Sequence, residues 1–166
     1  MTRRLIVLRH AEAEPYCADD FGRRLVALGH KQAAESGDWL RRQDYKIDVV
    51  FCSGAARTRD TFQYAFPAGV EDATVIFDDT IYNVGHARGE MQELYAAFRQ
   101  IPEAAQTVLM IGHNPTAPQV VLDIDIGAQL TGFGKAACAV LDINGGWADL
   151  PNCGGQLTAL FTPPQV

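Results

Sequence analysis

Two short aliphatic runs, Leu5-Ile6-Val7-Leu8 and Val108-Leu109-Met110-Ile111, constrain the fold of this chain more than any other feature. Neither alternates apolar with polar residues, so neither suits a strand with one wet face. Both suit strands buried on both faces, as in a parallel sheet covered by helices. Each is also far below the roughly 20 residues that a membrane-spanning helix requires. Asp48-Val49-Val50-Phe51-Cys52 and Thr74-Val75-Ile76-Phe77 read as two further strands.

The intervening stretches carry helical periodicity. Leu25, Leu28, Ala33, Trp39 and Leu40 recur at near-helical spacing and end at Arg41-Arg42, where positive charge suits a helix C-terminus; Gly29 and Gly37 interrupt the pattern. Ser53-Gly54 reads as the lead into a helix over about 55–64, which puts Arg57 in its first turn. Met91, Leu94, Tyr95 and Phe98 share one face of a predicted helix over 90–100, with Pro102 just beyond it. After Gly112-His113, the pair Asn114-Pro115 reads as an N-cap followed by proline in the first helical position, predicting a helix over about 115–123. Residues 137–143 and 156–161 read as closing strands, with a turn at Asn144-Gly145. Strands alternating with helices predict an α/β fold.

With 166 residues, 48% of them hydrophobic and 20% charged, and no repeat or linker, the chain reads as a single domain over 1–166. Lys and Arg number 14 against 20 Asp and Glu, a formal charge of −6, so neither nucleic acid nor an anionic membrane is an expected partner. Cys17, Cys52, Cys138 and Cys153 lack Cys-x-x-Cys spacing, which argues against a zinc knuckle or redox dithiol and for free thiols in a reducing compartment. Arg3-Arg4 and the apolar stretch after it lack a signal-peptide cleavage pattern, and the chain reads as cytoplasmic. The histidines at 10, 30, 86 and 113 show no local ligand spacing, so no metal is expected.

The chemistry concentrates where predicted strands end. Open α/β sheets bind ligands at the carboxyl ends of their strands, where the following helices direct N-terminal amides into the same crevice. Arg9-His10 stands at the first such end, Arg57 just after the second and His113 after the clearest buried strand. Arginine in a first helical turn is slightly unfavourable unless an anion is close, which points to an anion site. Gly132-Phe133-Gly134-Lys135 lacks the full phosphate-loop pattern and reads as a turn, with Lys135 flanking the pocket.

Leu8-Arg9-His10-Ala11, then Ser53 with Arg57 and Thr61, then Gly112-His113-Asn114-Pro115 together resemble the histidine phosphatase superfamily. The short length, Arg9-His10-Ala11-Glu12-Ala13, and the stretch from Arg24-Leu25 to Gly29 resemble its SixA-like phosphohistidine phosphatase branch. The resemblance implies a phosphoglycerate mutase-like three-layer sandwich, a mostly parallel central sheet flanked by helices. It also implies that His10 is the nucleophile, that Arg9, Arg57 and His113 hold the phosphoryl oxygens, and that no cofactor is needed. Phosphoryl transfer fits these residue types: guanidinium forks match phosphate, and nearby cations keep an imidazole neutral and nucleophilic.

The general acid is where the chain departs from larger relatives of that superfamily. Asn114 follows His113 and cannot donate as an acid, while Asp78, Asp79 and Glu90 near the chain's middle read as solvated carboxylates, as do Glu12 and Glu14. A phosphorylated imidazole needs less help to leave than an alkoxide does. The expected substrate is therefore phosphohistidine, in a protein or as a small phosphoramidate. The alternatives are a broad small-molecule phosphomonoesterase or mutase, and a phosphate-recognising module without turnover. Residues 82–89, with two glycines, are a candidate for a loop that closes over the substrate.

Overall fold

The aliphatic runs form strands and helices connect them. In chain order the elements are β1 (Arg3–Arg9), α1 (Ala27–Arg42), β2 (Val49–Cys52), α2 (Ala56–Ala65), β3 (Thr74–Phe77), α3 (Asp79–Gly85), α4 (Met91–Ala97), β4 (Thr107–Gly112), α5 (Thr116–Ile124), β5 (Cys138–Ile143) and β6 (Gly155–Phe161). The structure is a computed structural model describing residues 2–166. One six-stranded sheet has the order β3-β2-β4-β1-β5-β6. The first four of these run parallel, and β5 and β6 close one edge through antiparallel pairings.

The two runs that constrain the fold pair with each other, Leu5 against Val108 through Leu8 against Ile111. Their side chains alternate between two cores. Leu5, Val7, Phe51, Val108 and Met110 pack with Ile81, Leu94, Val120 and Val121 from α3, α4 and α5. Ile6, Leu8, Val50, Leu109 and Ile111 pack with Leu40 of α1 and Ala65 of α2. Burying each such side chain contributes roughly 1.5–3 kcal/mol, which favours this sandwich over a sheet with an open face. Among the described residues no helix is long and apolar enough to cross a membrane.

Gly29 and Gly37 sit inside α1 because the helix passes against backbone at both points. A Cβ on Gly29 would lie 2.0 Å from the Glu12 carbonyl oxygen, and one on Gly37 2.0 Å from that of Ala65. The predicted helix over 90–100 is α4 followed by a 3-10 turn, Phe98–Gln100. Two expectations are corrected. Asn114 does not cap α5: its amide donates to the Phe133 carbonyl at 2.9 Å, and the helix opens at Thr116 with no side-chain cap. Nor is 82–89 a loop throughout, since α3 runs to Gly85 and buries Ile81, Tyr82 and Val84. Burial there outweighs the local signal of the glycines.

Candidate active site

Parallel pairing brings the strand ends together. Arg9 and Gly112 are partners at the ends of β1 and β4, so the next residues, His10 and His113, emerge side by side with ring centroids 5.5 Å apart. The His10 backbone N–H donates to Gly112 O at 3.0 Å, and that of Ser53, just past β2, donates to Ile111 O at 3.0 Å. Arg57 follows in the first turn of α2, almost fully buried at 1% exposure. Thr61, one turn further, accepts from the Ala11 N–H at 3.0 Å and donates to Arg57 O at 2.7 Å, fixing the backbone just after His10.

Arg9, His10, Arg57 and His113 line one cavity of about 260 Å³, together with Arg23, His86 and Lys135. Ala13 and Asn114 complete a lining that contains four cations and no carboxylate, so the cavity selects anions. Unpartnered polar atoms concentrate here. Among the described residues, buried side-chain atoms without a hydrogen-bond partner include Arg9 Nε, Arg57 Nε, His113 Nδ1 and Asn114 Oδ1, all from residues of this lining. Buried polar atoms ordinarily find partners, so three such nitrogens around one cavity fit an oxyanion.

His10 is held in one tautomer. Its Nδ1 lies 2.7 Å from Ala11 O, which can only accept, so Nδ1 carries the proton and the lone pair resides on Nε2. Burial, aided by the charges of Arg57, Arg9 and Lys135, pushes its pKa down to about 3 despite the bond to Ala11. The ring is therefore neutral at physiological pH. His113 is held down in the same direction, by burial first and then by His10 and Arg57, and its Nε2 lies 2.8 Å from Ser53 Oγ.

Several residues of the site were not expected from the sequence. Asp20 receives the Arg57 guanidinium on its backbone oxygen at 2.8 Å and on Oδ2 at 3.1 Å. The same Oδ2 accepts from Tyr82 Oη at 2.8 Å and lies 3.0 Å from His86 Nε2. Arg23 joins through Asp20 Oδ1 at 2.9 Å. Tyr82 and these cations hold the Asp20 carboxyl well below the usual range even though burial opposes them. No motif marks Asp20, Arg23 or His86; the only available signal was the i, i+4 spacing of Tyr82 and His86, which puts both on one face once α3 is recognised.

The carboxylates considered from the sequence lie elsewhere. Asp78 caps α3 through Thr80 N–H at 2.9 Å and accepts from Gln100 at 2.6 Å, and Glu90 accepts from Gln92 at 2.9 Å. Asp79 lines a different cavity, with Phe21 and Asn83. Glu14 accepts from Arg24 N–H at 2.6 Å, while Glu12 pairs with Lys135 at the rim. Arg24 makes a two-pronged ion pair with the buried Asp60 at 2.7 and 2.8 Å, tying the loop after β1 to α2. No group of three His, Cys, Asp or Glu side chains among the described residues is arranged to hold a metal ion.

A sequence profile of the histidine phosphatase superfamily, branch 1, matches residues 5–122. A Nakamurella multipartitia structure provisionally named phosphohistidine phosphatase SixA superposes with a TM-score of 0.83 at 33% identity, over 98% of this chain and 97% of that one. A phosphohistidine phosphatase SixA homolog of Haemophilus influenzae is 27% identical over 128 residues, 72% of this chain and 76% of its own. A protein histidine phosphatase SixA solved with tungstate shares the fold, with a TM-score of 0.75 at 20% identity over 96% of each chain.

Proposed function

The chain belongs to the histidine phosphatase superfamily, and from that premise we propose that it is a phosphohistidine phosphatase working through a phosphoryl group carried on His10. The observation that carries this reading is the His10 ring: Nδ1 is committed to the Ala11 carbonyl, which leaves the lone pair of Nε2 in a pocket lined by four cations. Nε2 attacks phosphorus, the bond to the leaving atom breaks, and water then displaces the phosphoryl group from His10 to release orthophosphate. Arg9, Arg57 and His113 hold the phosphoryl oxygens through nitrogens that have no other partner. Lys135 adds charge at the rim.

Phosphohistidine, in a protein or as a small phosphoramidate, is the substrate favoured by two observations. The cavity lining holds no carboxylic acid, and an imidazole leaving group needs least assistance. Relatives spanning most of the chain carry the name of a phosphohistidine phosphatase.

The test is a rapid-quench time course with chelator present, comparing wild type and His10→Ala on a labelled phosphohistidine peptide and on an alkyl phosphate. Peptide turnover with acid-labile label on the wild type and none on the variant is the expected result. Turnover of the alkyl phosphate without any phosphoramidase activity overturns the substrate, and no turnover of either leaves a phosphate-binding module.

A further inference from the structure

His86 stands where two cavities meet. It lines the pocket of His10 and also an adjoining cavity of about 310 Å³, walled by Tyr16, Phe21, Tyr82, Arg88 and the Asp19-Asp20 turn; among the described residues no other lines both. A substrate whose phosphoryl group faces His10 and whose remaining part fills the second cavity has its scissile bond beside the His86 ring.

The ring is held for one role. Its Nδ1 donates to Tyr82 O at 2.8 Å, and its face stacks on the Tyr82 ring with centroids 4.0 Å apart. Nε2 is left with two neighbours that ask opposite things of it. Arg57 Nη2, at 3.0 Å, is a donor and needs a lone pair there; Asp20 Oδ2, also at 3.0 Å, is an acceptor and needs a proton. With the ring in one place, Nε2 can therefore accept from Arg57 when it bears a lone pair or donate to Asp20 when it bears a proton. With its ring centroid 5.3 Å from that of His113, His86 stands on the same wall as the groups that meet the phosphoryl oxygens.

Resting on the phosphoryl-transfer reading above, we propose that His86 is the proton donor to the leaving group, that Asp20 positions it, and that the leaving group occupies the adjoining aromatic-walled cavity. As His10 Nε2 bonds to phosphorus and the leaving atom departs with the bonding pair, His86 Nε2 gives that atom its proton and becomes neutral. In the second half, His86 Nε2 takes a proton from the water that attacks phosphorus, so orthophosphate leaves and both histidines return to their starting states. A histidine donor extends the substrate range from phosphoramidates to phosphate esters with poor leaving groups, which the absence of an acidic carboxylate in the pocket had argued against.

The experiment is single-turnover release of the leaving group by wild type and His86→Asn from phosphoimidazole, p-nitrophenyl phosphate and a primary alkyl phosphate. Loss of a proton donor slows release of the alkyl alcohol by about 100-fold or more while the two good leaving groups change by less than about 5-fold. An equal fall on all three substrates means that His86 only supports Arg57, and overturns the proposal. So does an unchanged alkyl rate, or a wild type that turns over phosphoimidazole but not the alkyl ester. His86→Gln, checked by its unfolding midpoint, replaces His86→Asn if that variant does not fold. A wild type that fails to label His10 with any substrate refutes the phosphatase reading itself, a distinct outcome.

Discussion

Ser53 Oγ lies 2.8 Å from His113 Nε2 while also accepting the Ala55 N–H at 3.3 Å. A Ser53 hydroxyl that donates to Nε2 places the His113 ring proton on Nδ1, the nitrogen without a partner. In that arrangement a serine just beyond β2 holds the tautomer of a histidine just beyond β4. Ser53→Ala frees that tautomer: kcat is expected to fall by about 10-fold, with a stability cost of about 1 kcal/mol. Steady-state kinetics beside urea unfolding separates the two, and a stability loss with unchanged kcat argues against the orienting role.

Asp20 is the counter-charge of the buried Arg57. Asp20→Asn leaves that guanidinium without a carboxylate and is expected to lower stability by about 2 kcal/mol, less than a fully buried pair because the Asp20 side chain is 15% exposed. Inorganic phosphate supplies the missing negative charge, so it raises the unfolding midpoint of the variant more than that of wild type. Equal shifts in a thermal-melt titration refute this.

His10 and His113 tie stability to pH. His10, pushed down to about 3 from an ordinary 6.5, and His113, shifted the same way, are neutral in the folded protein, whereas the unfolded chain binds protons to both below pH 6.5. The unfolded state then holds more protons, so stability rises with pH. Their contribution is complete above about 6.5 and is lost as the pH falls toward 3, with a slope approaching two protons. Denaturant midpoints across that range test it; His10→Asn removes one proton from the slope.

Gly29 is required by the approach of α1 to the loop that follows β1. Alanine in an open helix position gains about 1 kcal/mol over glycine, but here the new Cβ meets Glu12 O at 2.0 Å. Gly29→Ala is expected to destabilise by about 1–3 kcal/mol and to slow turnover, since Glu12 lies two residues from His10. A variant as stable and active as wild type contradicts the close packing.

Much of the fold was legible because the buried runs carry their own signal. Leu5–Leu8 and Val108–Ile111 cannot be half-exposed, and this gave the parallel sheet, whose strand ends in turn located Arg9, His10, Arg57 and His113. Boundaries of most elements followed within a residue or two. The segment 79–89 was not legible. Its glycines suggest a loop, and the seven-residue α3 depends on burying Ile81 and Val84 against the sheet, a contact that local propensity does not encode.

The sequence by itself determined the strands, their burial and the cationic and imidazole groups set at their ends, because these follow from apolar patterning and from which residue succeeds each run. Only the tertiary structure decided who partners whom. Asp20 and His86 stand 37 and 29 residues from Arg57 in the chain and meet it only after the sheet has closed. The desolvation that keeps His10 and His113 neutral has the same origin, since burial comes from the packed neighbours and not from the residue's own position in the sequence.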